Sequence, residues 1–422
     1  MVWANFLWLF LEKGLRVLTV VTVGIWIARY LGPREFGYLS YSMALTALFM
    51  VLADLGLSPV LVREIVRRPL LSVEYIGTGF LLRLVGALVA LLSIVLMVFL
   101  FDFEGPVAKY AMIIGASYLF RPLEVIDSYY QSQTLSKYSV LARNIAILVT
   151  SLFKVWLILN NAKPVCFVWA IFLESVIAAL LLAAIYGPKN IFGQWRFSRK
   201  CFFDLLRSCW PLAMSSFLIV SYMRIDQVMI GSMLGADEVG VFSVAVSLSE
   251  FWLFVPTILI SSITPYLTKI RQNSPQAYDK KLRQLYSLMF WMGVTVGSLV
   301  MVFGESLVQL LYGEAYVDAH KPLVISIWSG LFVSQALARG IWLINEDLQL
   351  YRLLNNILAV VLNIFLNWCL IPHYGIIGAA AATLLTQWLG TWVFPLFWKP
   401  MRASTFAMIA AANPMYLLSG RV

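Results

Sequence analysis

The chain has 422 residues, of which 61% are hydrophobic and 12% charged, with a net charge of +10. A soluble domain carries about 25% charged residues. Here the apolar excess falls in runs of the ~20 residues that a helix needs to cross a ~30 Å hydrocarbon layer. That excludes a soluble globular domain and, since the runs are continuous and do not alternate, a membrane β-barrel.

In chain order the runs predict an all-α integral membrane protein of about twelve transmembrane helices. They lie near 8–29, 38–62, 77–101, 108–133, 138–160, 164–187, 209–231, 239–266, 284–304, 319–345, 350–371 and 375–398. The first run begins at Val2, longer than one span needs, so Met1 to Leu11 is expected along the interface. Glu12, Lys13 and Arg16 stand where a signal peptide would have its apolar stretch, and none is expected. The last stretch, Thr405 to Leu418, is short and interrupted by Asn413 and Pro414; a surface or partial helix is expected there.

With an even number of spans, Arg63, Arg67 and Arg68, the basic residues from Lys189 to Lys200, and those from Lys269 to Arg283 share a side with both termini. Arg29, Arg34, Lys109, Lys163 and Lys321 fall on the other. The Lys/Arg bias makes the first side, and so both termini, cytoplasmic. The net positive charge is mostly this asymmetry and implies no nucleic-acid partner. Cys166, Cys201, Cys209 and Cys369 have no metal-type spacing, and His320 and His373 fall in outside loops, so neither a metal site nor a cofactor is expected.

"LGPREFGYLSYSMAL", from Leu31, returns as "LGADEVGVFSVAVSL" from Leu234, with Leu31/Leu234, Gly32/Gly235, Glu35/Glu238, Gly37/Gly240, Ser40/Ser243 and Leu45/Leu248 identical. Each glycine is expected to end a helix in the left-handed conformation, with Pro33 and the two glutamates suited to the first turn of the next. "SPVLVREI" from Ser58 pairs with "TPYLTKIR" from Thr264, and Tyr138 to Leu141 pairs with Tyr351 to Leu354. The chain therefore reads as two six-helix bundles related by a parallel internal repeat. The N-terminal lobe covers 1–190, a basic cytoplasmic linker 191–208, the C-terminal lobe 209–400, and a cytoplasmic tail with a short apolar segment 401–422. Two equal halves suit alternating access, so transport is the leading expectation.

Ionisable residues at membrane depth cost roughly 2.5–3.5 kcal/mol each and need a wet cavity or a partner. Guanidinium and ammonium groups there suit an anionic, phosphate-bearing passenger. Arg16, Arg83, Arg121, Arg143, Lys154, Arg224 and Arg339 are the substrate-binding candidates. Glu12, Asp54, Asp127, Glu174, Asp226 and Glu250 are candidates for binding a coupling proton or sodium ion. On an ideal helix Arg121, Glu124, Asp127, Ser128 and Gln131 form one polar stripe beside the helix breaker Pro122, either a cavity wall or a salt-bridge ladder. Glu12 with Arg16, and Lys154 with Glu174, are equally read as pairs that neutralise each other. Gly293 and Gly297 form a GxxxG pattern expected to pack helices within the chain.

The stretch from Ala28 to Glu64, "ARYLGPREFGYLSYSMALTALFMVLADLGLSPVLVRE", resembles the first-hairpin signature of bacterial polysaccharide exporters. These are O-antigen flippases of the Wzx type, in the multidrug/oligosaccharidyl-lipid/polysaccharide exporter superfamily. "RIDQVMIGSMLGADEVGVFSVAVSL", from Arg224 to Leu248, resembles the start of their second half. The resemblance implies two bundles around a cationic cavity. It implies a carrier, not an enzyme, that moves an undecaprenyl-diphosphate-linked oligosaccharide to the outer leaflet of the bacterial inner membrane, driven by an ion gradient. Membrane lipid and other polysaccharide-assembly membrane proteins are the further partners expected. A multidrug antiporter of the same superfamily would favour an acidic cavity. A membrane polymerase or glycosyltransferase would need a large outside loop or a D-x-D metal motif, and no D-x-D occurs.

Overall fold

The computed structural model describes residues 2–103, 105–187 and 195–413, with side chains from Thr19 onward except Val20 and Gln349. Among these residues there is no strand. Helices α1 (Val2–Asp54), α2 (Leu57–Arg67), α3 (Ser72–Leu100), α4 (Val107–Ser117), α5 (Val125–Ser132), α6 (Lys137–Leu159) and α7 (Pro164–Tyr186) come first. They are followed by α8 (Arg199–Met233), α9 (Ala236–Phe251), α10 (Phe254–Asn273), α11 (Pro275–Tyr312), α12 (His320–Asn345), α13 (Gln349–Trp388) and α14 (Lys399–Ala410). Among the described residues, nine helical stretches are long and apolar enough to cross a membrane, and α1 and α13 are each folded at an internal glycine. In hydrocarbon every backbone N–H and C=O needs a partner, which helices supply from within themselves. Phe99, Leu310, Val302 and Leu152 are largely exposed, an apolar surface suited to lipid and not to water. The chain is an all-α, multi-pass membrane protein.

Backbone contacts divide it into two compact units, Met1–Arg224 and Ile225–Val422. The division falls within α8. That helix begins at Arg199, inside the stretch read as a linker (191–208), of which 191–194 lie outside the described residues.

The duplicated joint has the same backbone twice. Gly32 has φ 74° and ψ 172°, and Gly235 has φ 94° and ψ 179°. This is the extended positive-φ region, open in practice to glycine alone, and not the left-handed helical well expected from the sequence. A Cβ at either position would meet nothing within 4 Å, so conformation, not crowding, demands glycine.

In the second unit, crowding decides instead. A Cβ on Gly293 would lie 2.8 Å from the Leu331 backbone, and one on Gly297 would lie 3.2 Å from the Trp328 ring. The GxxxG pattern therefore seats α12 against α11 within the chain. Helix α14 buries Met408 beside Leu267, Tyr278 and Tyr286, so the apolar segment from Thr405 packs on its own unit as far as Ala411. Residues 414–418 of that segment lie outside the described residues.

Candidate functional site

Three polar clusters lie in the first unit. The first forms where α1 stops. Leu55 and Gly56 both take positive φ, 53° and 62°, which breaks the helix between Asp54 and Ser58. Both side chains then bond one nitrogen of Arg83 on α3: Nη2 donates to Asp54 Oδ1 at 2.8 Å and to Ser58 Oγ at 2.7 Å. The other nitrogen, Nη1, reaches Glu124 Oε2 at 3.4 Å and the Arg121 carbonyl at 3.5 Å. The Arg83 side chain is 1% exposed, while its two carboxylates are 39% and 38% exposed. One buried cation thus anchors two acids that keep an open side, and the trio carries a net negative charge.

Helix 4 of the sequence reading is not one helix. Around Pro122 the chain winds as a 3₁₀ helix, Tyr118–Glu124, between α4 and α5. Tighter winding changes which residues share a face, so the single stripe predicted from Arg121 to Gln131 is split. Glu124 goes to Arg83. Asp127 accepts from Arg143 at 2.7 Å and from Gln131 at 2.9 Å. Arg121 stays half-buried with its guanidinium 5.5 Å from the Tyr118 ring, and has no ion pair among the described residues. In the third cluster Lys154 donates to Glu174 at 3.1 Å, with Thr150 bonding the same carboxylate at 3.2 Å.

The second unit holds its charges differently. Asp226 on α8 is 7% exposed and its described partners are neutral. Asn367 donates to Oδ1 at 2.6 Å and Thr383 donates to Oδ2, both from α13 on either side of its Gly375 fold. Asn363, one turn before Asn367, bonds that amide at 3.2 Å. A carboxylate held by amide and hydroxyl donors keeps a charge that a proton or a hard monovalent cation can neutralise.

Arg339 on α12 is 4% exposed and donates to backbone carbonyls alone, Thr391 at 2.8 Å and Gly390 at 3.4 Å. These lie in a π-helical turn, Leu389–Val393, whose widened winding exposes carbonyls for capping. Asn355 caps Gly390 as well, at 3.0 Å.

The structure thus pairs three predicted cations, Arg83, Arg143 and Lys154, with three predicted acids, Asp54, Asp127 and Glu174. Arg339 is held by carbonyls, and Arg224 and Glu250 are half-buried on α8 and α9. Glu12 and Arg16 lie on α1 outside the described side chains. Sequence reasoning missed Ser58, Asn363, Asn367 and Thr383, all uncharged. The i,i+4 spacing on an apolar helix was a signal for Asn363 and Asn367, and none pointed to Ser58 or Thr383.

A family model described as polysaccharide biosynthesis protein matches residues 2–271, and the MatE model matches residues 211–369. CapF, a capsular polysaccharide biosynthesis protein of Staphylococcus aureus, is 22% identical over 94% of this chain and 98% of its own. The probable flippase AglR of Haloferax volcanii is 27% identical, but the match takes in 48% of this chain and 43% of AglR. Among solved structures, an inward-facing multidrug resistance transporter of the MATE family has a TM-score of 0.71 at 16% identity, covering 94% of this chain and 96% of its own. The lipid II flippase MurJ has a TM-score of 0.70 at 14% identity, covering 99% and 93%. At such identities the likeness is one of fold.

Proposed function

The chain belongs to the polysaccharide biosynthesis protein family, and from that premise we propose that it is a flippase for a lipid-linked polysaccharide precursor. One observation carries the reading: the polysaccharide biosynthesis family model matches a chain built largely of helices long and apolar enough to cross a membrane, which suits it to meeting a glycan precursor on a lipid carrier. In finer detail, the passenger is an undecaprenyl-diphosphate-linked repeat unit bound for O-antigen or another surface polysaccharide. The chain crosses the bacterial inner membrane about twelve times, with both termini cytoplasmic, and works by alternating access as a carrier without enzymatic chemistry.

Residue roles follow from which charges are already satisfied. Arg121 is the first choice for a passing phosphate, because no carboxylate among the described residues neutralises it and guanidinium can bond phosphate through two nitrogens. Arg83, Arg143 and Lys154 serve to hold their carboxylates in place. Asp226 is the first choice for the coupling ion, because its described partners are neutral and leave its charge for a proton or cation to neutralise.

The test is deletion of the gene. Lipid-linked repeat units should accumulate in the cytoplasmic leaflet while surface glycan is lost. The MatE match over residues 211–369 favours one rival, a drug antiporter. Unchanged surface glycan with raised drug sensitivity would favour it and overturn the flippase.

A further inference from the structure

In the second unit, a groove of about 330 Å³ runs along the seam of α10 and α11, lined by one face of each helix. Helix α10 contributes Ile263, Tyr266 and Leu267, spaced i, i+3, i+4. Helix α11 contributes Lys281, Gln284, Leu285 and Leu288, spaced i, i+3, i+4, i+7. Pro265 sits inside α10 beside this seam and removes a backbone hydrogen bond there.

The lining has a direction. Lys281 and Gln284 lie towards the basic end of the unit, where Lys269 and Arg271 near the end of α10 and Lys280 and Arg283 in the first turns of α11 flank the α10–α11 turn. Leu285 and Leu288 lie deeper, Leu288 about 10 Å along the helix axis from Lys281 at 1.5 Å per residue. Of these cations, Arg271 is neutralised by two bonds to Glu346, at 2.8 and 3.1 Å. Lys281 is exposed and has no ion pair among the described residues. Tyr266 and Leu288 are also exposed, at 55% and 39%, so the groove is open along its length.

A cation and an amide at the wet end, above an apolar channel, match an amphiphile with one phosphate. We propose that this groove seats an anionic glycerophospholipid. Its phosphate lies on Lys281 and Gln284, and the upper part of one acyl chain lies on Ile263, Leu267, Leu285 and Leu288. Charge selects this occupant. The Lys/Arg bias puts this end in the cytoplasmic leaflet, whose anionic lipids are drawn to such clusters. A diphosphate bearing sugars would need further cations and hydrogen-bonding groups, and one lysine, one glutamine and one tyrosine hydroxyl do not supply them. The test of this site does not depend on transport.

The experiment uses the purified full-length protein and native mass spectrometry with phosphatidylglycerol, phosphatidylcholine of the same chains, and polyprenyl monophosphate. Phosphatidylglycerol should be retained in preference to phosphatidylcholine. Lys281→Gln should weaken its binding about fivefold, the usual worth of one basic residue at an anionic membrane surface. Lys269→Gln, which alters an exposed lysine outside the groove, should change it little. Leu288→Trp should fill the channel from its exposed side and remove binding with Lys281 intact. Equal losses from Lys281→Gln and Lys269→Gln would mean diffuse attraction and overturn the site. So would equal retention of the two phospholipids, or displacement of phosphatidylglycerol by polyprenyl phosphate at equal concentration, which would give the groove to the carrier lipid. If Leu288→Trp does not fold, the comparison of the two lysine variants still decides.

Discussion

Arg83→Met tests whether the trio on α1, α3 and the 3₁₀ turn is a clamp or a phosphate site. The change deletes a guanidinium that is 1% exposed and leaves Asp54 and Glu124 facing each other without their cation. Removing one partner of a fully buried pair costs about 3–5 kcal/mol, because the other charge is left without compensation. Here both carboxylates are more than one-third exposed and regain water, so that figure is an upper bound. Two charge-assisted bonds at about 1.5–3 kcal/mol each, less the recovered hydration, leave a net loss of about 2–3 kcal/mol. Combining Arg83→Met with Asp54→Asn and Glu124→Gln removes the stranded charges and should return all but about 1 kcal/mol. Denaturant unfolding of the purified variants, read as a mutant cycle, measures that coupling. In cells, the combined variant should recover surface polysaccharide along with stability. Additive losses within ~0.5 kcal/mol would refute the clamp. Full stability in Arg83→Met with export abolished would instead make Arg83 a substrate ligand, as its depth in the sequence first indicated.

Three more outcomes follow from the same geometry. Arg121→Glu should abolish export while leaving the protein folded, because Arg121 has no ion pair among the described residues to break; wild-type surface glycan in this variant would remove Arg121 from the path. Asp226→Asn keeps the shape of a side chain held by Asn367 and Thr383 and removes a buried charge, so stability should hold or rise. Flipping in that variant should lose its response to an imposed proton or sodium gradient, measured with reconstituted vesicles, and an unchanged response would dismiss Asp226 as the coupling group. Gly235→Ala should cost about 1–3 kcal/mol from backbone strain alone, since its Cβ meets no atom. Gly304→Ala, inside α11 with ordinary contacts at 3.5 and 3.6 Å, should gain up to about 1 kcal/mol; equal effects from the two glycines in unfolding curves would contradict the conformational account.

The crossings were legible because a membrane span announces itself in composition, and the fold-back at Leu31 and Leu234 because glycine alone tolerates what the backbone does there. Its dihedral region was not legible: glycine licenses several positive-φ conformations, and the choice among them lies in where the next helix must go. The polar stripe around Pro122 was half legible. Proline marks a break, but an ideal helical wheel assumes an unbroken winding, and the 3₁₀ turn sends Glu124 to Arg83 while Asp127 turns to Arg143.

The pairings themselves lay beyond the sequence because they join distant helices. Asp54 meets Arg83 through two consecutive positive-φ residues after the end of α1, one of them the leucine Leu55, which no propensity would place there. Arg339 meets carbonyls left as free acceptors where α13 runs out into a π turn. A search for charges finds the costly half of each arrangement and is blind to the neutral half that makes it tolerable. Asp226 is the sharpest case: its companions Asn363, Asn367 and Thr383 carry no charge. For that reason Asp226, unlike Asp54, Asp127 and Glu174, keeps its negative charge unspent by a cation among its described partners. An acid already matched to an arginine, as Asp127 is, gains little from binding a proton or sodium ion. An acid held by amides and a hydroxyl gains a full neutralisation, and that difference in gain, more than depth in the membrane, is what separates a coupling site from a structural one.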